Sequence, residues 1–237
     1  MLLSMLSLAY TVLLASMVPL LAAWSARRLR VSEISTTTLY VTALAYQWLL
    51  ALLTYAVLLM DGEGPGDVGF LPIPPGVGVA SALAILVLGT VVIAGSEGLK
   101  GHLGEAPSTL RAKLIPRTGS EILLFALLCL SAGICEEFVF RGYLVSRLSR
   151  LSGSVQAAAL VSAVLFGFGH AAYGWSGIIR AALVGWILTL PLFLAGSLFP
   201  SVVAHAAIDL LAGLYFLPRL ERRDLLPSPP PVDGTEG

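Results

Sequence analysis

The chain has 237 residues, of which 57% are hydrophobic and 12% charged, with 14 Lys+Arg against 14 Asp+Glu. A soluble domain carries about 25% charged residues, so this composition cannot coat a water-facing surface. Zero net charge without a basic stripe leaves no electrostatic footprint for nucleic acid. The two cysteines, Cys129 and Cys135, share one apolar stretch and exclude a disulfide scaffold.

Met1–Trp24, Thr36–Met60 and Pro75–Ser96 contain no charged residue. About 20 helical residues cross a bilayer core, so these runs predict three membrane spans. Ile122–Ile134, Val155–His170, Ala181–Leu198 and Val202–Leu217 continue the pattern with occasional polar residues. The expected fold is all-α: a polytopic transmembrane helix bundle of about seven helices, six to eight in range. The expected organisation is N-terminal spans over 1–120, a functional bundle over 121–217 and a polar tail over 218–237. Met1–Trp24 lacks a basic n-region and has too long an apolar run for a signal peptide, so it reads as an uncleaved anchor.

Asp61–Pro75, rich in Gly, Pro and acid, reads as an exposed loop. Its Gly-rich stretch lacks the Lys-Ser/Thr ending of a phosphate loop. Glu97–Ser120 reads as a longer polar connection, and Pro227–Gly237, with four prolines, as a disordered tail. The positive-inside rule puts Arg27, Arg28 and Arg30 inside, the acidic loop Asp61, Glu63 and Asp67 outside, and Lys100, Arg111, Lys113 and Arg117 inside. Arg219, Arg222 and Arg223 then place the C-terminus on the cytoplasmic side. Arg147 and Arg150 disagree, since they fall outside.

Ionisable groups cost about 2.5–3.5 kcal/mol each in a bilayer core and usually mark function. They are concentrated in the C-terminal half: Glu136, Glu137 and Arg141 in span four, His170 at the end of span five, His205 and Asp209 in span seven. Neighbouring Glu136 and Glu137 point about 100° apart on a helix and cannot share one role. Arg141 lies four residues after Glu137, on its face, so the two form a pair and Glu136 is left to face a cavity. Phe166 and His170, and His205 and Asp209, have the same spacing. Each polar group taken singly also reads as interhelical glue. A carboxylate, two imidazoles and a second carboxylate together are the groups that activate water or bind a metal. Cys135 adjoins Glu136, but an apolar span disfavours the thiolate, and both cysteines read as structural. His102 falls in a loop and carries no role.

Glu136-Glu137-Phe138-Val139-Phe140-Arg141-Gly142, Phe166-Gly167-Phe168-Gly169-His170 and His205-Ala206-Ala207-Ile208-Asp209 resemble the three motifs of the CPBP intramembrane protease family. That family, also called Abi, includes the Rce1-like CaaX prenyl endopeptidases. The resemblance covers roughly 121–217. It implies an intramembrane endopeptidase acting on membrane-associated substrates, among which prenylated CaaX proteins are one class. Glu136 would be the catalytic carboxylate, His170 its partner in activating water, and His205 and Asp209 the oxyanion side. Glu137, Arg141 and Phe166 would support the site. The third motif often ends in Asn, and an ionised Asp209 cannot donate to an oxyanion as an amide can. The favoured mechanism has no cofactor. The alternative is Zn held by Glu136, His170, His205 and Asp209, although no HExxH is present.

Gly167 and Gly169 read as sites of close helix or substrate approach, Pro191 and Pro200 as kinks near the site, and Tyr173 and Trp175 as an interfacial belt. The expected partners are the bilayer and a membrane-associated peptide or protein, with no nucleic acid. The expected location is a prokaryotic plasma membrane. A non-catalytic immunity or scaffold protein of the same family is the rival reading. A proton-coupled transporter is a third, and would be expected to show two similar halves, which are not seen.

Overall fold

The computed structural model describes residues 4–28, 33–96, 110 and 113–219. Arg30, Lys100, His102, Arg111, Arg222, Arg223 and the Pro227–Gly237 tail lie outside the described residues, as do the side chains of Arg27 and Arg28.

The described residues form seven helices and no strand. These are α1 (Met5–Arg28), α2 (Thr36–Met60), α3 (Pro75–Gly95), α4 (Gly119–Ser152), α5 (Val155–Gly169), α6 (Ala171–Ala195) and α7 (Phe199–Arg219). All except α5 are long and apolar enough to cross a membrane. The chain is therefore a multi-pass integral membrane protein.

Local chemistry sets the helix ends. Ser35 caps α2 by accepting from the Thr38 amide at 3.0 Å, and Ser154 caps α5 by accepting from Ala157 at 3.2 Å. Thr118 and Glu121 cap α4 reciprocally. Gly153 (φ 70°) stops α4 and Gly196 (φ 67°) stops α6 in the left-handed region that glycine enters without a Cβ penalty.

Several boundaries differ from the sequence expectation. Helix α4 runs 34 residues, well past Ile134, and carries its Glu and Arg residues inside one continuous rod. Its ladder widens to a π-helical stretch over Glu137–Leu144, entirely buried. Helix α6 starts directly after His170, with a 3-10 turn over Ala171–Tyr173, rather than at Ala181, which brings Arg180 into the span. Pro191 breaks α6 at Leu188–Thr189, because Ile187 loses its amide partner. The Leu188 carbonyl then accepts from the Ser201 hydroxyl at 2.7 Å, tying α6 to α7. Pro200 lies in the first turn of α7, where proline is tolerated, and makes no kink.

The helices pack as one body around α4. Gly133 lets α7 approach α4 so closely that a Cβ there would sit 2.5 Å from the Val202 carbonyl. Gly167 does the same for α5 and α6, where a Cβ would meet the Ile178 carbonyl at 2.6 Å. Gly169 has only ordinary contact, with Val18 of α1. Interhelical packing thus accounts for Gly167.

One end of the bundle gathers three connections. The Leu198 amide donates to the Gly69 carbonyl at 2.8 Å, and Ser197 donates to the Leu71 carbonyl at 2.7 Å. Arg147 donates to Glu63 at 2.8 Å and to Asp61 at 3.2 Å, and Arg150 to Glu63 at 2.6 Å. Ser4 also donates to Asp61. The Arg147 guanidinium is fully buried and lies over the Tyr143 ring. The two arginines that break the positive-inside pattern are therefore neutralised by the acidic loop that shares their end of the bundle. The Asp61–Pro75 loop is in part a lid on Arg147, and Val68 within it is buried.

Burial alone would raise the Glu63 carboxyl, but hydrogen bonds and charge from Arg150 and Arg147 outweigh it and hold the pKa below its ordinary value. A depressed carboxylate contributes stability that is complete above the unfolded pKa, about 4.3, and is lost as pH falls through the lower folded value. Thermal unfolding in detergent should therefore show a Glu63 contribution at pH 7 that is still present at pH 5 and disappears below about pH 4. Glu63→Gln should lower Tm at pH 7 and narrow its gap from wild type in acid. A gap that stays constant across this range would contradict the assignment.

Candidate active site within the membrane bundle

Polar side chains of α4 and α7 meet inside the bundle, and Phe166 of α5 links them to His170. Glu137 is wholly buried, and its Oε1 accepts from Arg141 Nη1 at 3.0 Å. The same oxygen lies 2.7 Å from His205 Nδ1. A carboxylate oxygen only accepts, so Nδ1 carries the proton and Nε2 is the ring atom turned toward the rest of the site. Nε2 lies 3.8 Å from Glu136 Oε2 and 3.6 Å from Asp209 Oδ2.

Burial separates the two glutamates as their spacing predicts. The Glu137 side chain is 0% exposed and the Glu136 side chain 24%. Asp209 is 39% exposed. Glu136 and Asp209 thus keep exposed edges, while Glu137 and Arg141 are buried behind them. Arg141 is held on three sides. Its Nε donates to the Gly185 carbonyl at 3.3 Å, and its guanidinium lies 4.0 Å from the Phe166 ring centroid. A Cβ on Gly185 would sit 2.5 Å from Arg141 Nη2, so only glycine leaves room for the guanidinium.

Phe166 is the hub between imidazoles. Its ring meets His205 edge-on at 5.8 Å and His170 at 4.7 Å. Its carbonyl lies 3.0 Å from His170 Nδ1, and a carbonyl only accepts, so His170 Nδ1 is protonated and Nε2 is its free nitrogen. His170 makes no direct ion pair with Glu136 among the described residues; the imidazole beside Glu136 is His205. His170 and Glu136 are both within electrostatic range of Asp209.

Two residues at the site carry no motif. Gln47 of α2 donates from Nε2 to Glu136 Oε1 at 3.1 Å. It was legible as the one amide in an otherwise apolar run. Tyr173 stacks on His170 at 5.9 Å and is near Glu136 and Asp209. Its ring is thus turned toward His170. Of Tyr173 and Trp175, Trp175 is the exposed aromatic. Cys135 and Cys129 are buried and free, Cys129 in a cluster with Tyr40 and Phe125.

Of the alternative ligand set Glu136, His170, His205 and Asp209, the structure brings Glu136 Oε2 and Asp209 Oδ2 within 3.8 and 3.6 Å of His205 Nε2. Among the described residues, no group of three or more His, Cys, Asp or Glu side chains is arranged to hold an ion. His205 Nδ1 faces Glu137, and Nε2 is the ring nitrogen that could ligate, the arrangement in which a metal-bound histidine donates its other N–H to a carboxylate.

Residues 118–211 match the family model described as Type II CAAX prenyl endopeptidase Rce1-like. The match spans α4 to α7 as far as Leu211 and includes every motif residue of the site. No curated protein and no solved structure matches the chain.

Glu137→Ala leaves a buried guanidinium and the His205 Nδ1 proton without their acceptor. Breaking a buried pair in this way costs about 3–5 kcal/mol. The expected outcome is a large fall in monodisperse yield and in Tm in detergent, with Glu137→Gln, which keeps one acceptor oxygen, intermediate. Wild-type yield and Tm for Glu137→Ala would contradict the buried network.

Proposed function

We propose that this chain, which carries an Rce1-like domain over residues 118–211, is an intramembrane endopeptidase that uses Glu136 to activate water. The family is a protease family, and a CaaX-type, membrane-associated substrate follows at that level. The observation that carries the reading is the division of labour between adjacent carboxylates: Glu137 is engaged by Arg141 and His205, while Glu136 keeps an unburied edge.

Peptide hydrolysis needs a base for water, a donor for the tetrahedral oxyanion and an acid for the leaving amine. Glu136 takes a proton from water as the oxygen attacks the scissile carbonyl. The same carboxyl then returns that proton to the departing amine. His205 is oriented by Glu137 through Nδ1, and in its doubly protonated form it presents an Nε2–H to the oxyanion. Asp209 Oδ2, 3.6 Å from that nitrogen, favours the charged imidazole and steers its ring. His170 offers its free Nε2 as a second proton acceptor within electrostatic range of Asp209. Low dielectric strengthens each of these contacts relative to water. No step requires a metal.

The test compares membrane-protein termini in cells expressing wild type or Glu136→Ala at equal levels. Loss of a general base costs about 100- to 10,000-fold. Termini that appear with wild type and vanish with the variant are expected, and their sequence names the cut. Identical termini, with both proteins folded and inserted, would replace proteolysis with the non-catalytic binding reading.

A further inference from the structure

We propose that Gln47 positions the Glu136 carboxylate, making α2, outside the matched segment, a working wall of the active site. The inference rests on the reading of Glu136 as the base.

An amide in the middle of an apolar span has an energetic cost unless it is bonded, since hydrocarbon offers no partner. Gln47 meets it by donating from Nε2 to Glu136 Oε1 at 3.1 Å. An ionised carboxylate only accepts, which fixes the amide with its nitrogen toward Glu136. The contact is not a loose reach. The adjacent Trp48 donates from its indole nitrogen to Ser131 Oγ at 3.1 Å, five residues before Glu136 on the same helix. Residues 47 and 48 point about 100° apart on α2, so the two bonds grip α4 from different directions and fix its register against α2. Nearer the start of α2, Tyr40 anchors the helix through its hydroxyl to the Leu114 carbonyl at 2.9 Å and its ring against Phe125.

The consequence is a difference between the two oxygens of Glu136. Oε1 is occupied by Gln47, and Oε2 faces His205 Nε2. The lone pairs free to take a proton from water are therefore on the Oε2 side, next to the imidazole that would serve the oxyanion. Gln47 Oε1 is buried without a hydrogen-bond partner among the described residues, so the amide is held through its donor side alone. Simple helix glue would support folding only; a positioning amide acts on turnover.

The experiment uses the full-length protein in detergent, with an internally quenched peptide ending in a farnesylated CaaX sequence as probe. Gln47→Leu removes the donor at nearly constant volume. Hydrogen bonds to a charged group support an expected kcat loss of about 10- to 100-fold, with KM changed by less than about twofold. Infrared difference spectra on a pH step should show a carboxyl band that Glu136→Gln abolishes and Gln47→Leu shifts. Unchanged kcat in Gln47→Leu, or an unshifted band, overturns the proposal. If Gln47→Leu does not fold, Gln47→Met, unbranched and without a donor, provides the same two readouts. The two hypotheses fail separately. Full turnover by Glu136→Gln, or no cleavage of the peptide by wild type, removes the base or this substrate, while the band shift still decides whether Gln47 holds the carboxylate.

Discussion

One carboxylate oxygen, Oε1 of Glu137, receives both Arg141 and His205 in a fully buried position. Charges in a bilayer-embedded interior carry a desolvation penalty that only close, complementary partners offset. That requirement organises the surrounding helices. Glu137 and Arg141 need α4 to present both on one face, which the widened turn over Glu137–Leu144 does. Arg141 needs the Gly185 carbonyl and a bare glycine on α6. His205 needs α7 against α4, which Gly133 permits by letting backbone meet backbone. The same oxygen sets the chemistry, because fixing His205 Nδ1 turns Nε2 toward Glu136 and Asp209.

The class of fold and the centre of the site were readable because the bilayer forbids casual charge. Uncharged runs mark spans, and the few charges within them mark what the spans surround. The i,i+4 spacing of Glu137 and Arg141 gave the pair, and the neighbour rule released Glu136. Other features depend on tertiary contacts that one-dimensional spacing does not carry. His205 rather than His170 stands beside Glu136, because α7, not the end of α5, crosses α4 at that level. Glu137 proved to be a bridge between α4 and α7 as well as a counter-ion within α4. Arg147 and Arg150 looked like a topological exception until the acidic loop folded over them. Arg180 was missed because a hydropathy boundary at Ala181 trimmed a helix that begins nearer His170. Gln47 went unremarked because an uncharged amide raises no alarm in a search for ionisable groups.

The N-terminal helices are integrated into the bundle. Tyr143 of α4 meets Ser7 of α1 through a 3.0 Å hydroxyl contact and packs edge-on against Tyr10. Gly89 of α3 admits the Ile208 side chain one residue before Asp209. Sequence similarity ends near residue 118, yet the walls around the matched helices continue through α1, α2 and α3. The matched segment thus holds the motif residues, while the helices that frame them lie outside it.

Helix α5 has only 15 residues, about 22 Å of rise, against a hydrocarbon core of about 30 Å. Its outward face is apolar, with Leu160, Val161 and Val164 exposed. A helix shorter than the hydrocarbon core is accommodated by thinning of the bilayer, by snorkelling of flanking residues or by association with other helices. Thinning on that flank would draw polar headgroups and their water toward the level of His170, where α5 ends. Under the proposed function, a peptide backbone entering there would shed fewer hydrogen-bonded waters than one crossing a bilayer of full thickness. The short helix would then ease the approach by shaping the lipid rather than by opening a channel.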